Sequence, residues 1–328
     1  MKVVAFFVRH FLERGTEVAV YDYANYNETI LNNKSIIICF SPKAQERHGL
    51  PSSAFSFPVF EQRFPIQTIE SISEMKDLII KYSIDVFYTL THGSKPDIYQ
   101  FDNQEIWQNC KTIKHCVFDL GGQESDIYCS ISHTLNQNFQ TNYPVLPHIV
   151  TMPSEIKMDL RRQLNIPKSA KVFGRYGGSD TFNIDFVLDA IKEYSLKHPE
   201  TFFVFMNTPK FVENQENIIF LEPTSNKIVK TKFINTCDAM IHARLDGETF
   251  GLSIGEFAFQ EKNIISYKNS TTNAHIDILG DKILLYDDQE SFLNILENYD
   301  SMKKDMKQNS YKTFSPEYVM KIFSTLLA

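Results

Sequence analysis

Short apolar runs rich in β-branched and aromatic residues alternate with stretches of helical periodicity along almost the whole chain. The alternation breaks once, at a proline-punctuated segment, and then starts again. Parallel strands need a crossover, usually a helix, so this pattern predicts βαβ units and parallel sheets. The restart predicts a second sheet. In the first half the candidate strands are Val3–Val8, Ser35–Phe40, a weak edge segment at Val59–Phe60, Asp85–Leu90, His115–Leu120, Ile127–Ile131 and Val145–Ile149. Between them, Thr16–Leu31 and Ile69–Tyr82 carry apolar residues at helical spacing. The second half resumes with a strand at Lys171–Tyr176, a helix over Ile184–Lys197, and strands at Phe202–Met206, Asn217–Leu221, Ala239–Ala243, Asn263–Tyr267 and Ile283–Tyr286.

The break is YPVLPHIVTMPSEIKMDLRRQLNIPKSA, in which Pro144, Pro147, Pro153 and Pro167 punctuate a strand, a turn and one short amphipathic helix. A hinge is expected near Met152–Pro167, giving a Rossmann-like α/β domain over 1–153 and a second over 154–314. Ser315–Ala328 reads as a closing helix with Pro316 in its first turn, able to pack back onto the first domain. Open parallel sheets bind ligands outside the carboxyl ends of their strands, so two such domains direct function to one cleft.

Charge narrows the ligand. Lys and Arg number 33 against 40 Asp and Glu in 328 residues, a formal charge of −7 with no clustered basic face. Nucleic acid is therefore not an expected partner, and any anionic ligand must be held locally. The first apolar run, Val3–Val8, is too short for a signal peptide or a membrane span. Cys39, Cys110, Cys116, Cys129 and Cys237 form an odd set without a C-x-x-C pair, which suggests neither a disulfide framework nor a zinc ribbon and fits a reducing cytoplasm. His115, Cys116, Cys129 and His133 match no zinc spacing and read as buried groups rather than metal ligands. Arg9, Arg14 and Arg47 leave peripheral contact with anionic headgroups open.

The richest stretch is CDAMIHARLDGETFGLSIGEFAFQEK, from Cys237 to Lys262. A strand leads into a polar loop, and an apolar helix is expected to open at Thr249-Phe250-Gly251. A glycine in the first turn lets an anion approach the free amides, where the helix dipole also favours negative charge. A diphosphate suits that place. Glu248 stands before the helix and Glu256 eight residues on, roughly 12 Å along a helix axis. That separation prevents a shared proton and suits gripping two ends of an extended ligand through its hydroxyls.

E-T-F-G-L-S-I-G-E resembles the E-x7-E signature of retaining nucleotide-sugar glycosyltransferases of the GT-B fold, particularly family 4. Phe173-Gly174-Arg175 resembles the family's strand ending in Gly-Arg, and the run from Cys237 to Tyr267 its last donor-site strand, signature helix and following strand. Glu13-Arg14-Gly15-Thr16-Glu17 looks like a degenerate form of its glycine-rich loop, and DIYCSISHTLNQNF with YPVLPHIVTMP resembles its approach to the hinge. The resemblance implies that Arg175 and the amides of Phe250, Gly251 and Leu252 contact a donor diphosphate. It also implies that Glu256 holds the ribose, that Glu248 faces the transferred sugar, and that Gly15 and Thr16 line the opposite side. Gly174 belongs to the same donor-binding set. The lysine common five residues after the Gly-Arg arginine is Asp180 here, and Arg244 is the candidate replacement. Asp180 reads as a helix N-cap for a segment near Thr181. His92, ending a first-domain strand, is a candidate for sugar or acceptor contact, or else caps a loop; Asp119, Gly121 and Gly122 end another strand.

The function so implied is metal-independent transfer of a sugar, with retention, from a UDP- or GDP-sugar to a glycan or other hydroxyl acceptor, the nucleotide-sugar being substrate and no cofactor being expected. A nucleotide-dependent oxidoreductase would need G-x-G-x-x-G after a first strand, and neither half has it. A nucleotide-sugar-binding or scaffold protein that has lost activity is the remaining alternative, left open by Asp180.

Overall fold

The computed structural model describes residues 1–11, 15–50, 57–93, 98–122 and 124–328. Two units divide it, Met1–Ile149 with Phe314–Ala328, and Val150–Thr313.

The first unit is built on β1 (Val3–Val8), β2 (Lys34–Phe40), β3 (Ile66–Ile69), β4 (Val86–Thr91), β5 (Lys111–Cys116) and β6 (Ile127–Ser130), all parallel, in the order β3-β2-β1-β4-β5-β6. A parallel sheet is covered on both faces, so its strands are apolar in successive residues rather than alternately. Phe6 and Phe7 show this. Phe7 packs edge-on against Phe40 and Tyr99 on one face, whereas Phe6 meets Tyr88 and the ring of Phe323 on the other. Phe323 lies on the closing helix Pro316–Leu327, capped by Ser315, and also meets Tyr23 of the helix Gly15–Thr29. The last helix therefore completes the first unit's core.

The second unit holds β7 (Lys171–Tyr176), β8 (Thr201–Met206), β9 (Ile218–Leu221), β10 (Ala239–His242), β11 (Gly247–Glu248), β12 (Asn263–Tyr267), β13 (Thr272–Asn273) and β14 (Leu284–Tyr286). Its six-stranded parallel sheet runs β9-β8-β7-β10-β12-β14, while β11 and β13 form a separate two-residue ladder. Counted along the chain, both large sheets have the doubly wound order 3-2-1-4-5-6, which reverses direction between the first and fourth strands. In this unit the reversal falls between β7 and β10.

Several elements differ from the sequence expectation. Val59–Phe60 lies in a helical turn, Phe57–Glu61, and the edge strand is Ile66–Ile69, so the following helical stretch begins at Ile72 instead of Ile69. β5 starts four residues earlier than expected because Lys111 and Lys114 disguise it; Lys114 is buried with its ammonium over the Tyr128 ring. Val145 makes one isolated bridge to Ser130. The segment after Pro153 forms turns and no helix; Arg161 holds the carbonyls of Lys168 and Ala170, and Thr236 accepts the Leu160 amide. The helices Lys227–Thr236 and Gln289–Glu297 were not expected.

Phe323→Ala should lower the stability of the first unit by ~3–5 kcal/mol, since an aromatic ring is removed from a filled core. Urea titration with hydrogen exchange at β1 and β4 measures it; unchanged exchange there would show that the closing helix contributes nothing to this sheet.

Candidate functional site

Strands β7 and β10 flank the point where the second sheet reverses, the place at which open α/β sheets take ligands. Arg175 and His242 stand at the carboxyl ends of these two strands. Arg175 is 3% exposed, and its guanidinium is engaged by the chain. Nη1 donates to the Asn207 carbonyl at 3.1 Å and to Thr208 Oγ1 at 2.6 Å; Nη2 donates to the Gly178 carbonyl at 2.6 Å and to Thr181 Oγ1 at 2.5 Å. Burial pulls its pKa down to about 10, against the Glu248 and Asp180 carboxylates, which raise it. The expected open face toward a diphosphate is thus taken up by the loops after β7 and β8. Asp180 does not cap a helix: the helix begins at Asp185, with Ile184 before it.

Gly174 has a packing reason for being glycine. A Cβ there would lie 2.2 Å from Cys237 Sγ, so the strand and the residue ending the helix Lys227–Thr236 could not approach as they do.

After β10 the chain turns through Arg244 and Asp246 into β11, where the ladder pairs Glu248 with Asn273. Glu248 Oε1 accepts from Arg244 Nη1 at 3.3 Å and from His242 Nε2 at 3.4 Å. Burial alone would raise the Glu248 pKa. The hydrogen bond from His242, with the charge of Arg244, outweighs it and pulls the pKa down to about 2. Behind Glu248 the contacts continue inward: His242 Nδ1 meets Ser266 Oγ at 2.9 Å, and Ser266 Oγ meets His275 Nε2 at 2.8 Å.

The helix is Leu252–Phe259, two to three residues later than expected. Gly251 is its N-cap, at φ +80°, a left-handed conformation that a side chain would strain. No side chain caps this end, and the amides of the first turn are those of Leu252, Ser253 and Ile254. Phe250 is buried against Tyr311, whose hydroxyl donates to the Phe250 carbonyl. Since Glu248 precedes the helix in a β-ladder, the 12 Å axial spacing inferred from the sequence does not describe the pair. Glu256, one turn into the helix, is 2% exposed and paired with Lys230 Nζ at 3.3 Å. Lys230 also lies over the Tyr176 ring. This lysine was missed because its helix was missed. Asn226, whose side chain accepts from the amides of Ile228 and Val229, was the legible start signal.

The remaining candidates lie in the first unit. Its sheet reverses between β1 and β4, and Gly15, Thr16 and His92 all follow the carboxyl ends of those strands. Gly15 opens the helix Gly15–Thr29; Thr16 Oγ1 donates to Glu17, which also pairs with His10 at 2.7 Å. Glu13 and Arg14 lie outside the described residues. His92 is exposed, its carbonyl accepts the amides of Phe118 and Asp119, and its ring meets Phe118. All five cysteines are buried and none forms a disulfide. Among the described residues no helix is long and apolar enough to cross a membrane.

No family model matches the chain, and no curated protein is similar to it in sequence. Solved structures are similar in fold. HepE of Anabaena, solved in complex with UDP and glucose, superposes with a TM-score of 0.65 at 15% identity over 99% of this chain and 98% of its own. A glycosyltransferase of Rickettsia africae gives 0.63 at 13% identity over 99% and 95%. UDP-GlcNAc 2-epimerase of Neisseria meningitidis, bound to UDP-GlcNAc, gives 0.61 at 13% identity over 100% and 99%. The fold is GT-B: two Rossmann-like α/β units, each on a six-stranded parallel sheet.

Two measurements check this local account. Gly174→Ala should cost ~1–3 kcal/mol by overpacking, and Gly174→Ala with Cys237→Ala should recover at least half of that loss in urea titration. Equal losses in the single and double variants would put the strain elsewhere. Because the folded Glu248 carboxyl lies below its unfolded value of 4.5, it adds stability above that pH, which disappears as pH falls toward about 2. Between those values the parent should lose more stability than Glu248→Gln; parallel curves would show that Glu248 is not held as described.

Proposed function

We propose that this chain is a glycosyltransferase that moves a sugar from a UDP- or GDP-sugar to a glycan or other hydroxyl acceptor, with retention of configuration and without a metal ion. One observation carries the reading: in a chain of GT-B fold, Glu248 and Glu256 bracket the uncapped start of the helix Leu252–Phe259, beside the reversal point of the second sheet. The spacing of these acids in sequence is also that of the E-x7-E signature.

In this scheme the ionised Glu248 accepts hydroxyls of the transferred sugar, and Glu256, kept charged by Lys230, accepts ribose hydroxyls. The bond from the anomeric carbon to the diphosphate breaks, the bond to the acceptor oxygen forms on the same face, and the acceptor proton passes to a phosphate oxygen. Negative charge then grows on the diphosphate. The amides of Leu252 to Ile254, with Phe250 and Gly251 shaping their approach, stabilise it together with Arg244. Arg175 acts chiefly by fixing the loops at Gly178 and Thr208, its own donors being engaged. His92 is assigned to the sugar or the acceptor, and Gly15 and Thr16 to the donor-binding set. HepE structures with UDP-glucose and with UDP support a nucleotide-sugar ligand for this fold. The epimerase shows that the fold is not confined to transferases.

A second reading, nucleotide-sugar binding without turnover, is favoured by Asp180 at the position of the usual lysine and by the engaged Arg175. A screen of UDP- and GDP-sugars by thermal shift, followed by product analysis with EDTA present, separates the two readings. Arg244→Ala should lower kcat by ~10²–10³-fold, and Glu256→Gln should raise the donor KM. Donor-stabilised melting without product would leave the binding reading; an inverted product, or activity abolished by EDTA, would sink the proposed mechanism.

A further inference from the structure

We propose that Ser266 and His275 are positioning residues for Glu248: through Ser266 they hold His242 as the neutral tautomer with its proton on Nε2, aimed at the carboxylate. The inference deepens the transferase reading and rests on it only for its kinetic consequence.

The geometry leaves little choice of hydrogen positions. Glu248 is ionised and can only accept, so the His242 Nε2 that meets it at 3.4 Å must carry a hydrogen. A neutral His242 then has a bare Nδ1, to which the Ser266 hydroxyl donates over 2.9 Å. Ser266 has one hydrogen, already given, so its oxygen accepts from His275 Nε2–H over 2.8 Å. That puts the His275 hydrogen on Nε2 and leaves its Nδ1 bare.

The opposite arrangement makes His242 an imidazolium. Its Nδ1–H would donate to Ser266, Ser266 would donate to His275 Nε2, and the His275 hydrogen would move to Nδ1. There it would meet nothing, since His275 Nδ1 is buried without a hydrogen-bond partner among the described residues. A buried N–H without an acceptor is penalised far more than a bare ring nitrogen. Ionising His275 instead is disfavoured, because burial holds its pKa well below the usual histidine value. An orphaned nitrogen two residues removed from Glu248 therefore decides whether His242 is neutral or charged.

The charged and titratable groups around His242 are few. Glu248 comes from β11 and Arg244 from the turn before it; His275 comes from the helix Ala274–Leu279, its ring 4.7 Å from that of His242. Tyr286 of β14 donates to the His242 carbonyl at 2.9 Å, and the Tyr311 phenol senses Glu248. None of these gives His275 Nδ1 an acceptor.

Long-range proton–nitrogen NMR on the full chain labelled with ¹⁵N-histidine reads the tautomers directly, with no donor present. At neutral pH both His242 and His275 should show the hydrogen on Nε2; a His242 hydrogen on Nδ1, or an imidazolium, would overturn the proposal. Ser266→Ala should give a mixture of His242 tautomers, and Ser266→Thr, which keeps the hydroxyl, should restore the single one. Retention of the single tautomer in Ser266→Ala would also overturn it. If a transferase assay is in hand, Ser266→Ala should lower kcat about tenfold with donor KM little changed. Ser266→Thr should remain near parent. Failure to find any donor would remove the transferase reading and leave the NMR result standing.

Discussion

Two glutamates at the carboxyl end of the second sheet are largely removed from water, and the surrounding residues are arranged to keep them charged. Glu248 gains a guanidinium and an imidazole, Glu256 a buried ammonium. A buried carboxylate without such partners takes up a proton and ceases to be a reliable acceptor. This requirement explains the company each acid keeps. It also explains why Arg244, which looks like a free ligand-binding group in the sequence, is engaged by Glu248.

The sheet order makes the arrangement possible. Reversal between β7 and β10 leaves a crevice at their carboxyl ends, and the chain leaving β10 crosses it before entering the helix Leu252–Phe259. Gly251 turns that path through a left-handed residue, so the helix starts with no capping side chain. Gly174 permits the close contact with Cys237 that joins β7 to the end of the preceding helix. Each glycine thus serves the site through the backbone, one by conformation and one by size.

Hydrogen-bonding groups stand behind Glu248 in series. His242 touches Glu248, Ser266 touches His242, and His275 closes the series at a nitrogen buried without a partner. Hydrogen-bond chains of this kind have few allowed proton arrangements, which makes them stiff in orientation as well as in geometry. For a group that accepts hydroxyls, a fixed donor behind it matters as much as its own placement.

The sequence alone determined the fold class. Apolar runs such as Val3–Val8 and helical stretches such as that ending at Lys197 carry their period locally, because parallel strands are buried on both faces and helices on one. Glu248, Gly251 and Glu256 were legible for the same reason, lying in one contiguous segment. What lay between distant segments was decided only by tertiary structure. Lys230 and Glu256 are separated by 26 residues, and Arg175 and Thr208 by 33. β5 was shifted in the reading because Lys114 looks like a surface residue until Tyr128 is folded over it. Whether a buried charge is paired depends on which strands the topology makes neighbours, and no local pattern of residues encodes that.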